Sequence, residues 1–327
     1  MLLSFAPMEG VTNAEYRRVH RRFFPEADRY FAPFIAPDAG GRFKRSHFSA
    51  LLPEANEGVR LSPQILANSA QAFLGAAETL AELGYREVNL NAGCPSGTVV
   101  SKHKGAGMLA SPDELDAFLE EVFRKTPVAV SVKTRLGLHS TAEFPALLEV
   151  YRRYPLSELI VHARDREGMY QSVPDRAAFA AALEDAPWPV CYNGDIFTAD
   201  DLASLRRDFP ALERVMLGRG AVTNPALFRV LRGGEALRRE ELRDFHDALL
   251  DEALRGGLPP VYALARMKEV WYYMIWLFPD SAKLCKALNK SRDLPAYRDA
   301  VSALFAQAAF DPAARFQGPP SGSPGAS

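Results

Sequence analysis

The sequence predicts an α/β fold, a TIM (β/α)8 barrel followed by a C-terminal all-helical domain. Three observations predict it. Short apolar runs ending in polar or glycine-rich turns alternate with longer amphipathic stretches, the pattern of a parallel sheet. Polar residues able to do chemistry recur at the ends of those runs. After about Gly234 the strands stop while helical periodicity continues.

Eight strand runs are expected, near Ser4–Met8, Tyr30–Phe34, Ser62–Leu66, Glu87–Asn91, Val128–Thr134, Glu158–Ala163, Val190–Asn193 and Arg214–Gly218. Helical segments such as Ala70–Leu83, Pro112–Lys125 and Thr198–Asp208 lie between them. In the second of these Ser111 is placed to cap, Pro112 suits the first helical position, and Asp113 and Glu114 suit the positive helix end. Strand count does not separate a closed barrel from an open sheet. Met8, Gln64, Asn91, Lys133, His162 and Asn193 each fall at or just beyond a strand's C-terminal end, however, and only a closed barrel gathers those ends on one rim.

Beyond the barrel, helices are expected over Glu235–Ala253, Val261–Leu277, Ser281–Ser291 and Pro295–Ala309, punctuated at Gly256-Gly257-Leu258-Pro259-Pro260. The expected division is a catalytic barrel over 1–235, a helical domain over 236–312 and a Gly/Pro/Ser-rich disordered tail over 313–327.

Composition narrows the function. Lys plus Arg number 39 against 40 Asp plus Glu, so binding to nucleic acid would need a local basic patch rather than net charge. The start, MLLSFAPMEG, lacks a basic leader region and reads as a strand, and no apolar stretch approaches the ~20 residues of a membrane span. A soluble, cytoplasmic protein is expected, with no obligate protein partner and a monomeric state. Cys94, Cys191 and Cys285 are far apart and show no metal-ligand spacing, so neither a disulfide framework nor a metal site is expected.

The most informative segment is Asn89-Leu-Asn-Ala-Gly-Cys-Pro-Ser96, followed by Lys104-Gly-Ala-Gly-Met-Leu109. A strand ending at Asn91 runs into a glycine–proline turn that carries Cys94 over the barrel mouth. A thiol with its reference pKa near ~8.5 is mostly protonated at neutral pH and can serve as a general acid. A lone cysteine is more often a small buried apolar residue; the loop position and polar flanks favour chemistry here. Lys133 lies within the apolar strand Val128–Thr134, where a lysine must reach a rim or find a partner, so a ligand contact is expected.

These segments, with the opening Ala6-Pro-Met-Glu-Gly10, the Val132-Lys-Thr-Arg-Leu-Gly137 strand and Asn193-Gly-Asp-Ile196, together resemble the tRNA-dihydrouridine synthase family. No one motif would suffice; their order and spacing along residues 1–230 match jointly. The resemblance implies an FMN-dependent barrel with a helical RNA-binding domain, NADPH as the transient reductant, and tRNA as the partner. It implies that Cys94 donates a proton to uracil while reduced flavin delivers hydride, and that Asn91 bonds or orients the uracil edge. It places Lys133, His162 and Gln64 on the flavin ring, and Pro7, Met8 and Glu9 of the opening motif beside the cofactor. Arg164, which follows His162 by two residues, is expected at the substrate. Ala92 and Met108 stand where the family pattern varies, and Asp165–Pro174 has no assignable feature.

Asn193-Gly194-Asp195 and Gly218-Arg219-Gly220 follow the seventh and eighth expected strands, where barrels commonly bind phosphate on backbone amides and a short helix. They are the expected seat of the FMN phosphate. Neither a GxxxxGK[ST] nor a GxGxxG fingerprint accompanies an early strand, so the pyridine nucleotide is expected to bind only in passing.

From Arg266 to Arg298 there are seven basic residues against three acids, and Lys283, Lys286 and Lys290 share one helical face. That row, with Lys102 and Lys104 beside the cysteine, is the expected RNA contact, although basic faces are more often merely solvated. The expected reaction is reduction of a tRNA uridine to 5,6-dihydrouridine. Two rivals remain at this point: an FMN barrel acting on a small molecule, which would not need the helical domain, and a flavin-free RNA-binding protein on an enzyme scaffold.

Overall fold

The computed structural model describes residues 1–184, 186–255 and 259–318. Contacts divide the chain into two compact units: Met1–Pro7, Asp28–Gly194 and Arg206–Leu217 form one, and Met8–Ala27, Asp195–Leu205 and the chain from Gly218 onward form the other. The units therefore interleave along the sequence, unlike the expected single boundary at 235/236.

The first unit holds nine strand segments: β1 (Leu2–Phe5), β2 (Arg29–Phe31), β3 (Leu61–Ser62), β4 (Gln64–Ile65), β5 (Glu87–Ala92), β6 (Ala129–Gly137), β7 (Leu159–Asp165), β8 (Val190–Asn193) and β9 (Arg214–Leu217). All pair in parallel, in the order β3-β2-β1-β9-β8-β7-β6-β5-β4. The two segments at the ends of that order are neighbours in the chain, separated only by Pro63. They are the halves of one strand, the first pairing with β2 and the second with β5. The sheet thus closes on itself as a (β/α)8 barrel, and the expected Ser62–Leu66 run is split because proline supplies no N–H to a ladder. Its carbonyl still accepts from Asn89 N at 2.8 Å.

Apolar side chains from successive strands fill the interior, with Ala6, Phe31, Ile160, Cys191 and Met216 in one buried cluster. Cys191 is a core residue, and burial pushes its thiol well above the usual range. Between strands, the helix Pro112–Lys125 begins as its sequence dictates: Ser111 Oγ accepts from Glu114 N at 3.3 Å, and Pro112 occupies the first turn.

The second unit is helical. Helix Ala14–Phe23 packs on Arg239–Arg255, with Phe245 edge-on to Tyr16 at 5.9 Å and to Phe24 at 5.4 Å. The helices Pro260–Met274, Ala282–Lys290 and Leu294–Gln307 follow. Tyr297 Oη, buried, meets Trp271 Nε1 at 2.8 Å and His246 Nε2 at 2.7 Å, which satisfies three polar tips in an apolar core. The expected tail does not begin at 313. Arg315 pairs with Asp201 at 2.9 Å, and the Phe316 ring packs 5.2 Å from Tyr273 and 5.6 Å from Tyr272. An aromatic and an arginine with partners to hand outweigh the Gly/Pro composition around them. The rest of that tail, 319–327, and the Gly256-Gly257-Leu258 part of the expected break lie outside the described residues. No described helix is long and apolar enough to cross a membrane.

Candidate active site

Strand register brings the candidates of the first unit together. Gln64 pairs with Asn89, Asn91 with Lys133, Arg135 with His162, and His162 with Asn193, which sets the candidates from the middle to the C-terminal part of adjacent strands. The fold reason is the one anticipated: parallel strands in a closed ring place their C-termini on one rim.

Cys94 is half-buried on the turn after β5. Asn91 Oδ1 accepts from Gly93 N at 3.1 Å and from Cys94 N at 2.9 Å, an Asx-type turn that fixes the cysteine backbone. Asn91 Nδ2 donates to Gln64 Oε1 at 2.7 Å, and Gln64 Nε2 to Asn89 Oδ1 at 2.8 Å. From the other side, Cys94 O accepts from Ala106 N at 3.0 Å. Gly105, at φ +56°, approaches so closely that a Cβ would lie 2.9 Å from that of Cys94. This is why the Lys104–Leu109 segment needs glycine there.

Lys133 follows Asn91 across the strand pair. Burial, then the nearby Arg135 guanidinium, pulls its amine down to about 7. It donates no hydrogen bond to any described residue. Arg135, two residues on and so on the same strand face, is 1 % exposed. Its Nε donates to Gly93 O at 2.9 Å and its Nη1 to Asp165 O at 2.6 Å and Met169 O at 3.0 Å. One guanidinium therefore ties the cysteine loop to the 165–174 loop. The sequence reading passed over Arg135; the signal was a second cation at period two after Lys133.

His162 is buried midway along β7, which runs on past the expected end at Ala163, and its Nε2 lies 3.2 Å from Arg164 Nη1. Because guanidinium can only donate, this nitrogen accepts and the neutral ring carries its proton on Nδ1. Arg164, expected at the substrate, is 1 % exposed and donates through Nε to Ser172 O at 2.6 Å. It also meets His162, so it joins that ring to the loop backbone. Tyr170, in the loop that carried no sequence signal, is exposed; its ring sits 5.8 Å from that of His162, with Arg135 5.3 Å over it. Asn193 Nδ2 donates to Met216 O at 2.9 Å and ties the end of β8 to β9. Lys102 is exposed and Lys104 half-buried on the segment after Cys94.

In the second unit, Arg219 opens the short helix Arg219–Thr223 directly after Gly218, and Arg219 Nη2 pairs with Asp195 Oδ1 at 2.5 Å. Gly220 lies so close to Ile196 O that a Cβ would be 2.2 Å from it. Glu9 is raised above the ordinary carboxyl range by burial and by Glu269. Lys283, Lys286 and Lys290 are exposed on the helix Ala282–Lys290, and none has an ion-pair partner among the described residues. No group of three or more described His, Cys, Asp or Glu side chains could hold a metal ion.

Comparison with known proteins identifies the family. Residues 4–300 match the family model described as dihydrouridine synthase (Dus). The tRNA-dihydrouridine(16) synthase of Pseudomonas putida is 30% identical over 307 residues, covering 90% of this chain and 94% of that protein. The tRNA-dihydrouridine(16) synthase of Aquipseudomonas alcaligenes is 28% identical over 317 residues, covering 90% and 96%. Among solved structures, a 2-naphthoyl-CoA reductase complex superposes with a TM-score of 0.53 at 12% identity, over 71% of this chain and 50% of that one, a likeness of fold alone. With its family model spanning both units and its cysteine loop held at the barrel rim, the chain belongs to the dihydrouridine synthase family of flavin-dependent oxidoreductases.

Proposed function

We propose that this protein reduces the C5=C6 bond of uridine in tRNA to dihydrouridine, using FMN as its bound cofactor and NADPH as reductant. The observation that carries the reading is the cysteine loop, whose backbone is fixed by Asn91 and Ala106 while Cys94 remains only half-buried, near Lys133.

The residues present suit a flavin. Lys133 is a half-buried residue whose amine makes no hydrogen bond to a described residue, the donor that the electron-rich edge of a flavin ring would satisfy. Gln64 and His162 offer amide and imidazole from other strands of the ring, with Pro7 and Met8 following β1. Asn193-Gly194 and Gly218-Arg219-Gly220 continue β8 and β9 directly and are proposed for the phosphate, with Asp195 orienting Arg219. When bound, FMN supplies the hydride that uracil receives at C6. Cys94 donates its thiol proton to C5 on the opposite side, a task for which a protonated thiol is suited at neutral pH. Asn91 holds the thiol-bearing loop and Arg135 braces it from below. The target base must leave its stack to reach such a rim. Lys102 and Lys104 are proposed to touch RNA near the base, and the Lys283–Lys286–Lys290 row to meet backbone phosphates. The reaction is proposed to take place in the cytoplasm, with the protein acting as a monomer.

The test is to map dihydrouridine in tRNA from cells lacking the gene, then from cells given back the wild-type protein. Position 16 is read first, since two relatives carry it in their names. Loss at a defined position with restoration on complementation is expected. Unaltered tRNA in cells with no second family member would sink the proposal in favour of a small-molecule substrate. Replacing Lys283, Lys286 and Lys290 together by Ala should weaken tRNA binding and reduce the salt slope of log K by about 2–3, measured by filter binding across a salt series.

A further inference from the structure

In the second unit the chain does not end with its last helix. After Gln307 it returns over the helical layer: Asp311 N donates to Leu277 O at 2.9 Å, and Pro312 O accepts from Asn224 Nδ2 at 2.9 Å. Arg315 then pairs with Asp201, the carboxylate that caps the turn at Phe197 and Thr198 through their N–H groups at 2.9 and 3.0 Å. Its guanidinium lies 5.5 Å from the Phe197 ring. Phe316, the next residue, stacks on Tyr273 and lies 6.2 Å from Trp276.

These contacts converge on one side chain. The Arg219 guanidinium sits 5.5 Å from the Phe316 ring centre and 5.9 Å from that of Phe197, with the Asp195 carboxylate at 2.5 Å. Two aromatic faces and a carboxylate thus define where the charge of Arg219 can be. Phe197 and Asp195 lie within the turn after β8, close in sequence to the other proposed phosphate residues. Phe316 comes from the opposite end of the chain, and the pairing of Arg315 with Asp201 holds it in register. A guanidinium held over a ring by cation–π attraction has fewer orientations open to it and loses less freedom when an anion arrives.

We propose that Phe316 is a positioning residue for the cofactor phosphate: it holds the Arg219 guanidinium in the orientation that receives the flavin's phosphate, so that the C-terminal strap sets cofactor affinity. This rests on the reading of Arg219 as a phosphate ligand. Phe316 touches no reacting atom and acts only through Arg219.

The experiment compares FMN with riboflavin, which lacks the phosphate, by titrating each into the flavin-free full-length protein and following fluorescence quenching. Wild type, Phe316→Leu, Phe316→Trp and Arg219→Ala are measured side by side. Leucine keeps the packing against Tyr272 and Tyr273 but has no π face; tryptophan keeps the face. Expected for Phe316→Leu is an FMN Kd raised by roughly 3- to 10-fold with the riboflavin Kd unchanged, and recovery in Phe316→Trp. Equal weakening of both flavins would mean that the strap supports the fold generally, and an unaltered FMN Kd that Arg219 needs no ring; either overturns the inference. Arg219→Ala separates the two levels. If it leaves the ratio of the two Kd values at the wild-type figure, the phosphate reading itself falls; if it collapses the ratio while Phe316→Leu does not, only the role of Phe316 falls.

Discussion

The two ends of the barrel solve the same problem in opposite ways. At the N-terminal ends of the strands, Arg29 opens β2, Glu87 opens β5, Arg214 opens β9, and Glu158 immediately precedes β7. Glu158, with no exposed surface, pairs with Arg29 and with Arg214 at 3.1 Å, and Arg29 also reaches Glu87 at 3.2 Å. Every charge there has an opposite charge from another strand. At the C-terminal ends, Lys133 and Arg135 stand near each other with no ion-pair partner for Lys133 among the described residues, and desolvation first, then the Arg135 guanidinium, brings the Lys133 amine down to about 7. One end is complete without a ligand and the other is not. The closed end fits a stabilising role, and the open end is the one we propose to receive a bound group.

The largest expected effect lies at the open end. Cys94→Ala should retain flavin and melt within about 0.5–1 kcal/mol of wild type, yet lose roughly 10²- to 10⁴-fold in uridine reduction under single-turnover conditions. A variant that turned over normally would remove Cys94 from the chemistry. At the closed end the order reverses. Arg29→Met strips Glu158 and Glu87 of their shared partner and should cost about 3–5 kcal/mol in urea denaturation, while any folded fraction binds FMN normally. A small loss of stability there would mean that Arg214 alone suffices for Glu158.

Lys133 tests the incompleteness directly. With its amine near 7 in the flavin-free protein, most molecules are neutral there at pH 8. A ring acceptor beside it raises that pKa, so FMN binding should take up a proton at pH 8 and almost none at pH 5.5, where the amine is already charged. Calorimetry in buffers of different ionisation enthalpy measures this, and Lys133→Met should abolish the uptake. The smallest effect is at the link between the ends, a relay running Asn91–Gln64–Asn89–Ser131–Glu87. Asn91→Asp keeps an acceptor for Gly93 and Cys94 but loses the donor to Gln64. A cost of about 1 kcal/mol in thermal unfolding is expected, with a larger fall in kcat than in KM.

Much of this molecule was legible because local chemistry and fold agree. Pro112–Lys125 and Val190–Asn193 begin and end where the sequence placed them, the first because Ser111 and Pro112 punctuate it. The opening strand was drawn too late, as Ser4–Met8, because Ala6, Pro7 and Met8 are apolar. Met8 and Thr12 close a turn there instead, with Met8 N donating to Thr12 Oγ1 at 2.9 Å. Cys94, Lys133 and His162 announced themselves as polar residues at expected strand ends. Arg29, Glu87, Glu158 and Arg214 did not, since a charge beginning a strand looks like any solvated residue until the ring closes and buries it. Tyr170 was illegible for a different reason: no period marks a loop, and contacts from distant residues such as Arg135 and Arg164 help to fix where it lies.

Pro63 gives the barrel a seam. Every other strand is a single segment, but here closure runs through two dipeptides joined by a residue that cannot donate, with one added bridge between Ile35 and Ile65. Gln64 sits in the second of them and is stitched sideways to Asn89 and Asn91. The seam is therefore where the ring would breathe first, and also where a ligand gripping Gln64 would fasten it. Occupancy of the mouth would be felt as a tightening of the hoop, seen in amide exchange at 61–66 before anywhere else in the sheet.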